Sequence, residues 1–272
     1  MDNIAVLMTC YNRKEKTLLS LKHLFAAGVP EAQLQVFLVD AASPDGTAAA
    51  VREKYPQVHV IDADSSLFWN RGMHLAWEHA AAAGAFDYYL WLNDDTMLLE
   101  TALKTLLDDE KSANAAAIIC GACSANAELD IVSYGGQKIK GERLFPNGSL
   151  QACDLINGNA VLVPDAIFKA IGNLDPIFPH GVGDYDYGLR AAKAGFPVYV
   201  SSGFVGICER DHDIPSYRRK SVKLRERFRV LHSPKTPSPR IFFIYLHRHC
   251  GLFVALKHVV NLYLKTLFPD YE

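Results

Sequence analysis

The chain has 272 residues, of which 50% are hydrophobic and 21% are charged, and its formal net charge is −2. These values are typical of a globular protein with a substantial core, and the length suits one large α/β domain or two small ones. Because the chain has no overall basic excess to neutralise phosphates, nucleic acid is not expected as a partner.

The N-terminal residues do not follow the pattern of a secretory signal peptide. Met1, Asp2 and Asn3 provide no basic region, and the apolar run at 4–9 is too short for the apolar part of a signal. We therefore expect a cytoplasmic protein whose six cysteines are reduced thiols.

Apolar strand patterns alternate with helical patterns through the first half of the chain. We predict strands at 4–9, 36–39, 58–61 and 88–92, and helices over 18–25, from residue 47 onward and over 70–83. Strands and helices that alternate at this spacing predict an α/β fold with a mostly parallel central sheet flanked by helices. Ligands of such open sheets bind beyond the carboxyl ends of the strands.

Polar residues follow three of these strands, at 9–12, at Asp40 and at 93–95. The adjacent carboxylates Asp94 and Asp95 repel each other, and burying them is costly unless they are paired or bind a cation. One local alternative is a cap, in which Asp95 or Thr96 begins a helix over 97–107. Three polar clusters on one edge of a sheet favour a ligand site, and carboxylates suit a hard divalent cation that carries a diphosphate.

The second half of the chain is less regular. We predict a strand over 157–163, a helix from Pro164, and a further helix through Lys193 whose first turn contains Asp184 and Asp186. Acidic residues are favourable in a first turn, so capping is one explanation for both. Signatures of other enzyme classes are missing, namely G-x-G-x-x-G after the first strand, G-x-x-x-x-G-K-[ST] and G-x-S-x-G.

Five segments occur in an order and spacing that resemble a known enzyme family: VLMTCYNR, VFLVDAASPDGT, LFWNRGMHLA, WLNDDT and GDYDYGLRAAKAGF. They are similar to segments of the family 2 glycosyltransferases of GT-A fold, in particular the rhamnosyltransferase-like and galactofuranosyltransferase-like members. The resemblance implies a Rossmann-like GT-A catalytic domain at 1–215 and a basic, amphipathic helical C-terminal extension at 216–272.

The resemblance also implies a set of donor-binding residues. The Asp that closes the second strand in the family binds the nucleotide base, and here it is Asp40, with Thr9 and Tyr11 lining the same pocket. The segment after the third strand approaches the nucleotide and diphosphate, which points to the residues Asn70, Arg71 and Gly72. Arg71 is suited to this place because a guanidinium pairs well with phosphate oxygens.

The family's D-x-D motif matches Asn93-Asp94-Asp95, with Asn at the first position. Asp95 then corresponds to the metal-binding carboxylate, while Asn93 and Asp94 are assigned to the donor side. The resemblance implies Mg²⁺ or Mn²⁺ as the cofactor. Some members add a His ligand about two dozen residues beyond the catalytic base, and His212 occupies that place.

Asp184 matches the family's catalytic base, in a pattern that normally reads acidic-Asp-x-Asp and continues to an Arg. Gly183 stands at the first acidic position here, and Asp186 and Asn157 are assigned to the acceptor side. One carboxylate is sufficient for inverting transfer, since it only has to take the proton of the acceptor hydroxyl.

The activity implied is inverting transfer of a sugar from a nucleotide-diphosphate donor, UDP or dTDP, to a saccharide or lipid-linked acceptor in bacterial surface polysaccharide synthesis. Two alternatives remain. A sugar-1-phosphate nucleotidyltransferase would need a Gly-rich basic loop after the first strand, and TCYNRKEKT contains no glycine. An inactive GT-A domain that binds carbohydrate is left open by Asn93 and Gly183.

A Pro-rich linker at 232–240 separates a basic segment at 217–229 from an apolar tail. Charged and His residues interrupt this tail too often for it to span a bilayer, which needs about 20 mostly apolar residues. The tail could pack on the catalytic domain or on a homodimer partner. Alternatively, it could lie as an interfacial helix on the inner face of the cytoplasmic membrane.

Overall fold

The structure is a computed structural model that describes residues 1–139, 141–210, 215–234, 236 and 238–271. The strands are β1 (Asp2–Cys10), β2 (Ala32–Asp40), β3 (His59–Asp62), β4 (Tyr88–Leu92), β5 (Met97–Leu98), β6 (Ile118–Ser124), β7 (Val132–Tyr134), β8 (Gln151–Ala152), β9 (Ala160–Pro164) and β10 (Val198–Ile207). The helices are α1 (Lys14–Ala26), α2 (Thr47–Lys54), α3 (Phe68–Ala83), α4 (Ala102–Ser112), α5 (Asp165–Ile171), α6 (Gly183–Lys193), α7 (Leu224–Leu231), α8 (Pro239–Cys250) and α9 (Leu252–Leu267).

The strands form one sheet with the order β3-β2-β1-β4-β9-β6-β10-β5, and β7 and β8 extend it beside β6 and β10. The first four strands along the chain are mutually parallel, as the sequence predicts. In the second half β9 runs antiparallel to both β4 and β6, while β10 is parallel to β6. The sheet is therefore parallel around the predicted ligand edge and mixed elsewhere.

Helices cover both faces of this sheet, because alternate residues of its central strands point to opposite sides. On one face, Ile4, Val6 and Met8 of β1 contact apolar residues of α1, α2 and α4. On the other, Ala5 and Leu7 belong to a cluster with residues of α3, α5 and α6. This packing fixes α3 and α6, which contain many of the predicted site residues, on the same side of the sheet.

The structure does not support the local alternative of a helix that begins at Met97. Met97 and Leu98 form strand β5, which pairs antiparallel with Gly206 and Ile207 of β10, and helix α4 begins only at Ala102. The partner strand lies about a hundred residues away along the chain, so local capping signals at Asp95 and Thr96 could not indicate it.

The C-terminal tail is a hairpin of two helices rather than one long helix. Gly251, with φ +90, separates α8 from α9, and such a backbone conformation is open to glycine at little cost. Helix α8 packs on the region before and within α6, where Tyr245 joins a buried cluster with Phe178 and Val182. Of the described helices, none has the length and apolar character needed to cross a membrane.

Candidate active site

The predicted site lies between β1 and β4. From β1 the chain first adds β2 and β3 on one side, and then returns to add β4 on the other side. Sheets of this type bind ligands at that point, beyond the carboxyl ends of the strands. Cys10 at the end of β1 is level with Asp40 at the end of β2, and Leu7 is level with Trp91 in β4. The residues after β1, β2 and β4 therefore meet at one edge, as predicted.

Arg13 connects two of these strand ends. It follows β1, and its Nη1 lies 2.6 Å from Oδ2 of Asp95 and 3.3 Å from Oδ1 of Asp94, both of which follow β4. The sequence analysis missed this residue, because its partners are more than eighty positions away. Two carboxylates that share one guanidinium produce a negative electrostatic potential, so a positive charge is stabilised at this position.

The charge of the carboxylate pair is only partly compensated by Arg13. Burial raises the pKa of Asp94 to about 7, and although Arg13 acts in the opposite direction, the charge of Asp95 adds to the increase. A second cation at this place would lower the pKa of Asp94 and reduce the repulsion between the two carboxylates. A divalent cation would supply this additional positive charge.

Asn93 and Asp184 are joined through Trp69, which the sequence analysis did not single out. The indole Nε1–H of Trp69 donates to Oδ1 of Asn93 at 2.6 Å. The ring of Trp69 lies so close to Gly158 that any Cβ there would collide with it. The backbone N–H of Gly158 donates in turn to Oδ2 of Asp184 at 3.1 Å. The D-x-D segment and the predicted base therefore belong to one site.

Asp184 lies in the first turn of α6 and has no cationic partner among the described residues. Burial raises its pKa to about 6, whereas hydrogen bonds from the backbone N–H groups of Tyr185 and Gly158 act in the opposite direction. A carboxylate with this pKa is ionised at neutral pH and still basic enough to accept a proton, as a general base must be.

Asp40 shapes the predicted nucleotide pocket. Its carboxylate accepts a hydrogen bond from the backbone N–H of Ser43 at 3.1 Å and one from Sγ of Cys10 at 3.3 Å. Asp40 and Thr9 are buried, whereas Tyr11 is half-exposed at the same strand ends. The three residues are thus brought together, with Tyr11 the most accessible.

The structure places two of the predicted residues at the start of α3 in buried contacts. Asn70 is fully buried, and its Nδ2 donates to the carbonyls of Asp175 and Phe178 at 2.9 and 2.7 Å, so it holds the chain before α6 in place instead of facing a donor. Gly72 is buried against Thr9, and a Cβ at that position would overlap the Thr9 side chain. Only Arg71 is partly accessible, and its Nε donates to the carbonyl of Pro176.

Asp186, assigned to the acceptor side from the sequence, also lies in buried contacts. Asp186 is fully buried, and its carboxylate accepts hydrogen bonds from Arg190 Nε at 2.9 Å, Arg248 Nη1 at 2.8 Å and His249 Nε2 at 2.8 Å. Burial would raise its pKa, but these partners hold the pKa of Asp186 below the usual range. Asp186 therefore ties α6 to α8 of the tail.

Asn157 lies close to Asp184, since its neighbours Gly158 and Tyr185 both contact that region. Its Nδ2 is 3.5 Å from the hydroxyl of Tyr185, and its Oδ1 is buried without a hydrogen-bond partner among the described residues. A buried acceptor atom without a donor is costly, so a ligand hydroxyl that donates to it would be stabilised.

Comparison with known proteins identifies the family of the chain. Residues 5–166, more than half of the chain, match the sequence model of Glycosyl transferase family 2. The chain belongs to glycosyl transferase family 2. No curated protein is significantly similar to it in sequence.

Solved structures support the same family at the level of fold. A mannosyltransferase of Pyrobaculum calidifontis, PcManGT, in complex with GDP-Man and Mn²⁺, is 15% identical with a TM-score of 0.58, over 97% of this chain and 74% of that one. TarS residues 1–349 of S. aureus in complex with UDP is 11% identical with a TM-score of 0.59, over 98% of this chain and 72% of that one. The same TarS fragment with UDP-GlcNAc is 12% identical with a TM-score of 0.57, over 97% and 73%. The GT-A fold is thereby confirmed.

This family 2 member departs from the family pattern at Gly183, and the structure gives a packing reason. A Cβ at Gly183 would collide with the Asn70 side chain, which is buried and fixed by its two hydrogen bonds. The second departure, Asn93, lies next to two carboxylates that already repel each other. A neutral amide accepts the hydrogen bond of Trp69 there without adding a third negative charge.

The metal assignment for this family 2 member rests on Asp95 and His212. His212 lies outside the described residues. Within the described part of the chain, no group of three or more His, Cys, Asp or Glu side chains could hold a metal ion. Asp95 and Asp94 are suitable oxygen ligands, so a cation here would need further ligands from the donor diphosphate or water.

Proposed function

We propose that this protein is an inverting glycosyltransferase that moves a sugar from a nucleotide-diphosphate donor to a hydroxyl group of its acceptor. The observation that carries the proposal is the connection from Asn93 through Trp69 and Gly158 to Asp184. This connection supports Asp184, whose pKa is raised, as a base that acts beside the carboxylates Asp94 and Asp95.

In the proposed reaction, Asp184 takes the proton of the acceptor hydroxyl while that oxygen forms a bond to the anomeric carbon of the donor sugar. The bond from the anomeric carbon to the diphosphate oxygen breaks on the opposite side, so the nucleoside diphosphate leaves and the configuration is inverted. Asn157 Oδ1, which is buried without a partner among the described residues, would orient the acceptor by accepting a second hydroxyl hydrogen bond.

Mg²⁺ or Mn²⁺, when bound, would neutralise the charge that develops on the departing diphosphate. We propose Asp95 as the principal protein ligand and His212 as a second. Asp94 is the neighbouring carboxylate, and a cation would compensate the buried negative charge that raises its pKa. Arg71 would add a positive charge for the phosphates, while Tyr11, Thr9 and Asp40 would line the nucleotide pocket.

The donor class is supported by the structural neighbours, which contain GDP-Man with Mn²⁺, UDP or UDP-GlcNAc. Within that class we propose UDP or dTDP as the nucleotide. We further propose a saccharide or lipid-linked acceptor, a role in bacterial surface polysaccharide synthesis, and a cytoplasmic protein with a catalytic domain at 1–215 and an extension at 216–272.

The proposal is tested first by donor binding. The full chain is mixed with UDP-, dTDP- and GDP-sugars, with and without Mn²⁺, and its thermal unfolding is followed. A ligand that binds only the folded state raises the unfolding temperature, and we expect the largest increase with a UDP- or dTDP-sugar and Mn²⁺ together. No increase with any nucleotide sugar would contradict the proposal.

Product analysis then separates the alternatives. A glycosyltransferase releases nucleoside diphosphate from the donor, slowly to water and faster with an acceptor. A sugar-1-phosphate nucleotidyltransferase would instead release pyrophosphate from a nucleoside triphosphate. Donor binding without release of nucleoside diphosphate, either to water or across an acceptor library, would favour the inactive carbohydrate-binding alternative.

A further inference from the structure

Helix α9 exposes an unusually apolar surface. We define the apolar stripe as Phe253, Leu256, Val260, Leu264 and Leu267, all of which are exposed. Phe253 is 88% and Val260 57% accessible to solvent. Contiguous exposed apolar surface of this kind is rare on soluble monomers and usually marks an interaction site.

The stripe lies on one side of α9. At 3.6 residues per turn, its five residues fall within an arc of about 80°, on the side opposite the buried face of the helix. That buried face consists of Ala255, Leu262 and Thr266, which pack toward the rest of the protein. The helix therefore has one side that stabilises the fold and another side that contributes little to it.

Charge is distributed very unevenly between the tail and the remainder of the chain. Residues 215–272 contain 12 of the 28 Lys and Arg residues but only 3 of the 30 Asp and Glu residues, which gives a formal charge of +9. Residues 1–214 consequently carry −11. Between Glu226 and Asp270 the sequence contains no acidic residue.

The basic segment is attached directly to α9. Nη1 of Arg227 donates to the carbonyl of Thr266 at 2.7 Å, and the ring of Phe228 lies 6.3 Å from that of Tyr263. Lys223 and Arg225 at the start of α7, together with Lys257 on α9, are exposed. Positive charges and the apolar stripe therefore belong to one packed unit.

This combination favours an anionic lipid surface over a second copy of the chain as the partner. In a symmetric dimer the same surface of both copies would meet, so a segment with a charge of +9 would face an identical segment. Apolar residues on one side of a short helix, with Lys and Arg at its flanks, are instead typical of helices that lie in the membrane interface.

We propose that the apolar stripe of α9 inserts into the interfacial region of an anionic bilayer, with the basic segment against the lipid headgroups. Anionic headgroups attract residues 215–272 and repel the acidic remainder, and this attraction and repulsion together orient the protein with the tail toward the bilayer. This proposal does not depend on glycosyl transfer, because it rests only on the tail.

The test uses the full chain and point variants. Deleting the tail would remove Arg248 and His249, which hold the buried Asp186. The test variant therefore combines Phe253→Ser, Val260→Ser and Leu264→Ser. The matched control combines Leu19→Ser, Ile131→Ser and Ile139→Ser, three exposed apolar residues outside the tail.

Each protein is sedimented with vesicles of phosphatidylcholine alone or mixed with phosphatidylglycerol, at low and high salt. We expect wild type and control to bind the anionic vesicles, less strongly at high salt. The α9 variant should bind more than about tenfold more weakly, since three apolar side chains no longer insert. Thermal unfolding with donor nucleotide verifies that both variants are folded and separates this test from the proposed function.

Three results would overturn the proposal. One is wild-type protein that does not sediment with anionic vesicles, and another is an α9 variant that binds as well as the control. The third is a wild-type dimer that the α9 variant converts to monomer with no difference in lipid binding, which would assign the stripe to a second copy.

Discussion

Asp184 and Asp186 lie two residues apart in the first turn of α6, yet their surroundings differ in every respect that matters for chemistry. Asp184 faces the sheet edge, accepts hydrogen bonds only from backbone N–H groups, and has its pKa raised to about 6. Asp186 faces the tail, accepts hydrogen bonds from two Arg and one His, and has its pKa lowered.

The comparison shows that one helix turn can hold two buried carboxylates whose pKa values are shifted in opposite directions. Burial without a cationic partner keeps a carboxylate basic, whereas burial with several partners makes it inert. We expect substitutions at the two positions to have opposite consequences, with activity lost at Asp184 and stability lost at Asp186.

Asp184→Asn should give the largest effect. An amide cannot accept the acceptor proton, so we expect kcat to fall by about a thousandfold or more while donor affinity stays near the wild-type value. The measurement is steady-state transfer together with donor titration, with Asp108→Asn on the exposed side of α4 as the control. Turnover within a few-fold of wild type would remove Asp184 from the mechanism.

Asp186→Asn should mainly change stability. Loss of the central charge leaves Arg190 and Arg248 without their buried partner, and breaking a buried ion pair of this kind costs about 3 kcal/mol. We expect this decrease in the free energy of unfolding in urea titrations. The exposed pair of Lys104 with Asp108 provides the control, and Asp108→Asn should cost well under about 1 kcal/mol. Equal losses for the two variants would contradict the comparison.

Asp95→Ala should weaken the Mn²⁺-dependent part of donor binding. Even outer partners of metal sites typically contribute about 10–100-fold to metal affinity, so a direct ligand should contribute at least as much. Mn²⁺ titration of donor binding by calorimetry measures the change. His212→Ala should act in the same direction, and an unchanged Mn²⁺ titration in that variant would show that His212 is not a ligand.

The pH dependence of kcat/KM tests the role of Asp184 without any substitution. Because Asp184 must be ionised to act as a base, kcat/KM should rise with pH up to about 6 and then level off. A profile that remains flat down to about pH 5 would show that a group with this pKa does not control the reaction.

The raised pKa of Asp184 also predicts an effect on stability. Ionisation of Asp184 should increase kcat/KM but decrease the stability of the folded protein. Above pH 4 the unfolded chain loses the Asp184 proton before the folded protein does, so the contribution of this group to stability falls as pH rises from about 4 to about 6. Asp184→Asn should remove this loss and raise the thermal unfolding temperature at neutral pH. Asp186, with its lowered pKa, contributes stability at neutral pH that is lost on acidification.

The sequence predicts the part of the fold that local patterns control. Strands β1 to β4 and their parallel arrangement follow from short apolar runs that alternate with helical patterns, because strands buried on both faces of a sheet read as near-continuous apolar segments. Strand β5 lies where local capping signals favour a helix, because its pairing with Gly206 and Ile207 depends on a distant segment. The same limitation applies to Arg13, whose partners follow a different strand.

Within the candidate site, sequence patterns indicate residue types better than they indicate orientation. Asp184 and the 93–95 segment are connected through Trp69 and Gly158, whereas Asn70 and Asp186 make buried contacts with other parts of the chain. A sequence motif gives the residue type but not the contacts that its side chain makes in the folded protein. Trp69 lies inside one of the quoted segments, at the start of α3, and its indole N–H is a donor that needs a partner when it is partly buried.

The contact between Gly183 and Asn70 makes these two positions an epistatic pair. An acidic residue at 183 requires a smaller side chain at 70, and a smaller side chain at 70 gives up the hydrogen bonds to the carbonyls of Asp175 and Phe178. Neither single step is favourable, so mutation from this sequence toward the family's acidic residue has to pass through a destabilised intermediate. Ancestral reconstruction and library design around α6 should therefore vary the two positions jointly.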